Sequence, residues 1–143
     1  MTTTTHVPTL EHAIHQTNVW LGEVAAELDG ADRQYAYRTL RATLHALRDR
    51  LTVDEVAQLA AQLPDLLRGI YYEGWNPSAT PVRERTRAQF LDHVAREGAL
   101  AGHTEASIAV SATMAVLGRH VSTGELDDVR ATLPQDIGAL LFP

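Results

Sequence analysis

The residues best suited to recognition chemistry lie between positions 38 and 75. Four basic side chains recur at spacings of three, four and three residues, which places them along one side of a helix: Arg38, Arg41, His45 and Arg48. Guanidinium groups bind phosphates and carboxylates through a planar fork of N–H donors. This arginine stripe, with Arg68 further along the chain, therefore predicts either an anion-binding surface or a solvated face paired with some of the 18 acidic residues.

Three aromatic side chains follow within five positions, and we call them the aromatic hinge: Tyr71, Tyr72 and Trp75. Tyr and Trp bury a large area at little entropic cost and keep a polar group, so they often anchor binding surfaces. The same residues would serve equally to cover a seam between two parts of the fold. Both interpretations are open from the sequence.

The histidines and carboxylates form no recognised metal or catalytic motif. His93 and Glu97 are four residues apart, and Glu11, His12 and His15 lie within about a turn and a half of helix. Neither a His-Glu-x-x-His motif nor paired Glu-x-x-His motifs occur, and there is no cysteine. A nucleophile elbow and glycine-rich phosphate loops are also absent. We predict no catalytic residues, no metal ligands and no cofactor, with an enzyme as a distant alternative.

The elements that must position these residues repeat after seventy positions. Residues 18–73 align without a gap to residues 88–143, with 13 identities in 56 pairs. Thr52-x-x-Glu55 and Ser122-x-x-Glu125 predict matching capping boxes, in which the hydroxyl and the carboxylate each accept a backbone N–H. Pro64 and its counterpart seventy residues later each predict the start of a further short helix.

We therefore predict an all-α fold of two tandem helical units of roughly 56–70 residues, packed as one pseudo-twofold bundle. The predicted boundaries are a disordered tail at 1–9, a first repeat at 10–75, a linker at 76–81 and a second repeat at 82–143. The second repeat opens with RERTR, which is more basic than a first helical turn prefers. Its long helix at 105–120 is small or apolar almost all round, which predicts the central helix or a subunit interface.

Composition narrows the possible partners. A net charge of −6 argues against general affinity for nucleic acid or an anionic membrane. No apolar run approaches eighteen residues, and the amino-terminal residues lack the pattern of a secretory signal. We predict a cytoplasmic protein without nucleic-acid or membrane partners.

Three stretches of the chain resemble the bacterial family catalogued as domain of unknown function 2267: LRATLHALRDRLTVDEVAQLAAQLPDLLRGIYYEGWNP, PVRER and LGRHVSTGELDDVRATLP. The resemblance spans about residues 10–143, and LPDLLRGIYYEGW is its most specific part. It implies a small all-helical protein with this duplicated arrangement and no established activity. It supplies no catalytic or ligand-binding residues.

The sequence thus favours a non-enzymatic module that binds another protein, or a second copy of itself, through the aromatic hinge and the arginine stripe. The alternative is a binder of a small phosphate-bearing anion in a pocket between the repeats. That alternative would use Arg41, Arg48 and Arg68.

Overall fold

The computed structural model describes residues 6–143, which are all-helical and contain no strand. They form eight α-helices: α1 (Pro8–Glu27), α2 (Arg33–Arg50), α3 (Val53–Ala60), α4 (Asp65–Tyr72), α5 (Arg87–Gly98), α6 (His103–His120), α7 (Thr123–Thr132) and α8 (Gln135–Leu141). A 3₁₀ turn at Pro77–Ala79 lies between α4 and α5. Helices of this kind bury their apolar stripes against one another, and one contiguous core results. No helix among residues 6–143 is both long enough and apolar enough to cross a bilayer.

The predicted disordered tail falls partly on residues 1–5, which lie outside the described residues. Its end is helical, because α1 begins at Pro8 with a proline in the first turn. Proline suits that position, since the N–H it lacks would have no partner there. Pro64 and Pro134 each occupy the N-cap position, so both short helices begin one residue later than the sequence predicts.

Helix capping follows the sequence only in part. The hydroxyls of Thr52 and Ser122 accept the N–H groups of Glu55 and Glu125, as predicted. The N–H of Ser122 donates to Gln62 instead of to the box carboxylate. A complete capping box starts α5, between Thr86 and a glutamine three residues later. The Thr-x-x-Gln pattern was available in the sequence, so this box could have been predicted.

The central helix is α2 and not α6. Eleven residues of α2 are buried, whereas α6 leaves one side in solvent, with Ile108 52% exposed. Of the two predictions for α6, the central position was wrong because its outer side is made of small residues, and a subunit interface stays a prediction. Leaving Ser111 or Gly118 in water costs little, since each has little apolar surface to bury.

The principal helix contacts come in corresponding pairs. The bounds of α2 and α6 differ by seventy residues at both ends. Every principal contact maps onto another, or onto itself, when α1 is exchanged with α5, α2 with α6, α3 with α7 and α4 with α8. Two repeats related by a twofold axis would produce this pattern. The pattern supports the pseudo-twofold packing, which stays a prediction.

The connection between α4 and α5 runs from 73 to 86 and is longer than the predicted linker. Residues 82–86 are not helical, so the basic RERTR segment precedes α5 except for Arg87, which is the first residue of that helix. The N–H of Val82 donates to the carbonyl of Asp49 over 2.8 Å, and Arg50 Nε donates to the carbonyl of Glu84. The connection is thereby attached to the carboxyl end of α2.

Candidate functional site

The aromatic hinge is mostly structural. Tyr71 is fully buried, and its hydroxyl donates to the carbonyl of Val56 over 3.0 Å. Burial raises the pKa of Tyr71 above its ordinary range. Tyr72 and Trp75 are half-buried with ring centroids 5.6 Å apart, and the indole N–H donates to the hydroxyl of Thr80. The hinge therefore covers the core where α4 ends, and only parts of the Tyr72 and Trp75 rings face solvent.

Most of the arginine stripe is occupied by contacts within the chain. His45 Nε2 donates to the carbonyl of Ile70 over 2.7 Å, and Arg48 donates to the carbonyls of Tyr71 and Glu73 over 2.7 and 2.9 Å. Arg41 pairs with the carboxylate of Glu73. The last carbonyls of a helix have no partner within it, so His45 and Arg48 cap the end of α4 with their side chains.

The remaining two predicted arginines lie elsewhere. Arg38 is exposed, with its guanidinium 5.2 Å from the ring centroid of Tyr35. Arg68 donates to the carbonyls of Ala60 and Leu63, which caps the end of α3. The structure therefore does not direct Arg41, Arg48 and Arg68 towards one shared space. Their N–H donors serve two different helix ends. The last turns of α3 and α4 contain no basic residue of their own. This feature of the sequence could have indicated that arginines from elsewhere cap these two helix ends.

A cluster of titratable side chains lies where α2 packs on α5, and we call it the α2–α5 cluster: Asp49, Glu84, His93 and Glu97. His93 Nδ1 lies 2.9 Å from Glu84 Oε2, and His93 Nε2 lies 3.4 Å from Asp49 Oδ2 and 3.9 Å from Glu97 Oε1. Asp49 also accepts from Arg48 Nε over 2.9 Å. His93 is 7% exposed, and three carboxylates thus lie within 4 Å of the nitrogens of a buried imidazole.

Local structure explains how these residues meet. The capping box at Thr86 sets the start of α5, and the i, i+4 spacing then places His93 and Glu97 on the same side of it. That side can approach α2 closely because Ala42 faces Gly98, where an added Cβ would lie 3.0 Å from the alanine Cβ. The 73–86 connection brings Glu84 to the same place.

Opposite charges dominate the electrostatics of the cluster. Burial alone would lower the pKa of His93, but hydrogen bonds to Asp49 and Glu84 outweigh it and raise that pKa to about 9. Burial alone would raise the pKa of Asp49, but His93 and Arg48 hold it below its ordinary value. His45 differs, because burial lowers its pKa and the charges of Arg48 and Arg41 add to the effect. His93 is thus cationic at neutral pH, whereas His45 is neutral.

The sequence marks His93 and Glu97 as a spaced pair but does not connect them with Asp49 or Glu84. The i, i+4 spacing was the only local signal. Asp49 lies 44 positions before His93 in the sequence, and the packing of α2 on α5 is what brings the two residues together.

A second buried acidic site lies where α3 packs on α7. Glu55 and Glu125 are 7% and 8% exposed, and one carboxyl oxygen of each is buried without a hydrogen-bond partner. Burial raises the pKa of Glu125 to about 8, and contact with the Glu55 carboxyl acts in the same direction. Between residues 6 and 143, no cation is paired with either side chain.

Comparison with protein families identifies the chain. The model of the family described as "Uncharacterized conserved protein (DUF2267)" matches residues 17–140, which is most of the sequence. The chain belongs to the DUF2267 family. No curated protein matches it. The resemblance noted in the sequence is thereby confirmed, and the family description adds no activity.

One apolar surface of this DUF2267 protein is open to solvent. Leu10 and Ile14 on α1 are 62% and 53% exposed, and Leu66 on α4 is 42% exposed. Together with Ala13 and Asp65 they line a groove of about 370 Å³ between the two helices. We call Leu10, Ile14 and Leu66 the α1–α4 surface. Leu10 and Ile14 continue the apolar side of α1 that is buried from Thr17 onward, so their helical spacing gives no sign that they are exposed.

Proposed function

We propose that this DUF2267 protein is a non-enzymatic homodimerisation module whose contact is the α1–α4 surface. The observation that supports this proposal is the exposure of the first half of α1. Residues 8–16 are helical, yet none of them is buried, and the first buried residue is Thr17. A short helical segment is marginally stable in water unless its apolar side packs against something. The side that faces the core from Thr17 onward continues past it to Ile14 and Leu10.

A second copy of the chain fits this surface because the surface offers both shapes that such a contact needs. Leu10 and Ile14 project from α1, and the groove beside Leu66 can receive side chains of that size. A twofold contact uses the same patch on both subunits, so the projecting side chains and the groove that receives them must lie in one patch. The polar border is also self-complementary. The imidazoles of His12 and His15 and the carboxylates of Glu11 and Asp65 surround the patch, and each type can bond the other.

This proposal moves the contact away from the aromatic hinge and arginine stripe. Tyr71, His45 and Arg48 are buried there, and Arg41 and Arg68 are partly exposed but bonded within the chain. Arg38, Tyr72 and Trp75 keep the remaining exposure. The alternative of an anionic ligand held by three arginines gains no support, because their donors already bind helix carbonyls and Glu73. A cytoplasmic setting belongs to the proposal and rests on the sequence composition.

Sedimentation equilibrium of the untagged full chain over a wide concentration range tests the proposal. We expect reversible dimers, and Ile14→Glu should weaken association at least about thirtyfold, since central interface residues contribute about 2 kcal/mol or more. Ile108→Glu is the matched control, because Ile108 is similarly exposed but lies on α6 outside the surface. A wild-type chain that stays monomeric at the highest concentration overturns the proposal. Equal weakening by the control variant would overturn the location.

A further inference from the structure

The α2–α5 cluster has the geometry of a small metal site. Asp49, His93 and Glu97 each offer one ligand atom, and the three atoms lie within 4.8 Å of one another. Ligands at about 2.0–2.2 Å from a tetrahedral ion are about 3.3–3.5 Å apart. His93 Nε2 and Asp49 Oδ2 are already 3.4 Å apart, and Glu97 Oε1 lies 3.9 Å from the same nitrogen. A small rotation of the partly exposed Glu97 side chain would complete the set.

Neighbouring groups orient these ligand atoms. Glu84 lies at hydrogen-bond distance from His93 Nδ1, which leaves Nε2 facing the two ligand carboxylates. Arg48 Nε binds Asp49 Oδ1, which leaves Oδ2 facing His93. A carboxylate behind a ligating imidazole, and a donor behind a ligating carboxylate, are the outer contacts that fix ligands in metal sites.

His45 supplies an independent observation. Its side chain is 2% exposed, and its Nε2 must carry the hydrogen because the carbonyl of Ile70 can only accept. In the neutral ring Nδ1 is therefore an acceptor, and it faces the carboxylate oxygen Oε2 of Glu97 at 3.8 Å without a hydrogen bond. Two acceptors that face each other are unfavourable unless a cation lies beside them.

The local charge also favours a divalent cation. The cluster contains three carboxylates, and Arg48 is the guanidinium bonded to it. Arg41 pairs with Glu73, and its nearest approach to Glu97 is 4.0 Å. Once His93 gives up its Nε2 proton to bind a metal, two negative charges of the cluster are left uncompensated. A bound ion of charge +2 would replace the proton on His93 Nε2 and balance them.

We propose that Asp49, His93 and Glu97 bind one divalent transition-metal ion where α2 meets α5. One imidazole and two carboxylates suit Mn²⁺, Fe²⁺, Co²⁺ or Zn²⁺, whereas Ca²⁺ and Mg²⁺ prefer oxygen ligands alone. Water would fill the remaining coordination positions. The ion would join the carboxyl end of α2 to α5, and this role is independent of the proposed dimer.

The test is a titration of the untagged, chelator-treated full chain with Co²⁺, followed by visible absorption and by calorimetry. We expect one ion per chain, with Glu97→Gln weakening binding at least tenfold. Asp92→Asn is the matched control. It removes a carboxylate from the exposed His103–Asp92 pair, in which Asp92 also lies on α5 but outside the site. Its affinity should equal that of the wild-type chain.

A second variant and a structural check keep the test decisive. Asp49→Asn should also weaken Co²⁺ binding at least tenfold, because Asp49 and Glu97 lie on different helices but share the ion. Far-ultraviolet circular dichroism verifies that each variant is folded before titration. Absence of saturable binding, or a wild-type affinity in both the Glu97 and Asp49 variants, overturns the proposal. Loss of binding in the Asp92 variant would also overturn it, by placing the ion at the surface histidine.

Discussion

The α2–α5 cluster and the Glu55–Glu125 pair both remove carboxylates from water, but only the cluster supplies cations. In the cluster, His93 and Arg48 hold the pKa of Asp49 below its ordinary value. In the pair, burial and the adjacent Glu55 raise the pKa of Glu125 to about 8. Burial acts in the same direction on both carboxylates, so the neighbouring charges decide which one is ionised at neutral pH.

The charges of the cluster are fixed at neutral pH, whereas the charge of Glu125 in the pair can change near that pH. The cluster joins helices far apart in sequence through ion pairs that stay charged at neutral pH. The pair joins α3 and α7 through a contact that is favourable while one carboxyl keeps its proton. Both are compatible with a folded chain at neutral pH, and they differ in how they respond to mutation and pH.

The largest effect is expected from removing the central cation of the cluster. His93→Leu would leave three carboxylates without their shared partner, and breaking a buried ion pair in this way costs about 3–5 kcal/mol. The measurement is the free energy of unfolding in urea at neutral pH with a chelator present. His103→Leu is the control, because its pair with Asp92 is exposed and should contribute no more than about 1 kcal/mol. Similar losses of unfolding free energy in the two variants would show that the buried His93 contacts contribute no more than the exposed His103–Asp92 pair.

An effect of opposite sign is expected from the uncompensated pair. Glu125→Gln should stabilise the protein by about 1–3 kcal/mol at alkaline pH and change little at acidic pH. The folded pKa of about 8 lies above the ordinary 4.5. The favourable contribution of the pair is therefore complete below about pH 4.5 and is lost as the pH rises through 8. Glutamine keeps a hydrogen-bond donor towards Glu55 at every pH.

Urea unfolding of the wild-type chain and the Glu125→Gln variant at acidic, neutral and alkaline pH measures this difference. Asp54→Asn is the matched control, because Asp54 occupies the same first turn of α3 as Glu55 but is exposed. It removes a charge that favours the helix amino end, so it should lower stability slightly. A stabilisation by Glu125→Gln that does not grow with pH would show that the pair is not the cause.

The sequence predicted helix order well and side-chain roles poorly, and particular residues show why. Thr52, Ser122 and the two prolines act locally, so their positions predicted helix starts to within a residue or two. Glu55 and Glu125 were expected to complete capping boxes, and instead they face each other between α3 and α7. A local pattern cannot include the neighbouring helix that offers a competing contact.

The arginine stripe illustrates the same limit. Its spacing correctly places the residues along one side of α2, but it cannot show that this side faces the end of α4. Once α4 packs there, its unpaired carbonyls are better partners for Arg48 and His45 than solvent is, because buried acceptors must be satisfied. The Asp49–His93 contact was also beyond prediction, because it arises only from the packing of α2 on α5.

The smallest effect is expected at the positions that correspond to the cluster seventy residues away. Asp49 corresponds to Arg119, and His93 and Glu97 correspond to Glu23 and Glu27. Arg119 pairs with both of these glutamates where α6 packs on α1, but its side chain is 47% exposed. Exposed ion pairs contribute little, so Arg119→Met should lower the free energy of unfolding only slightly. Salt should reduce even that contribution, because exposed charges are screened. Urea unfolding at low and high ionic strength measures it, and a loss as large as that of His93→Leu would mean that burial does not separate the two contacts.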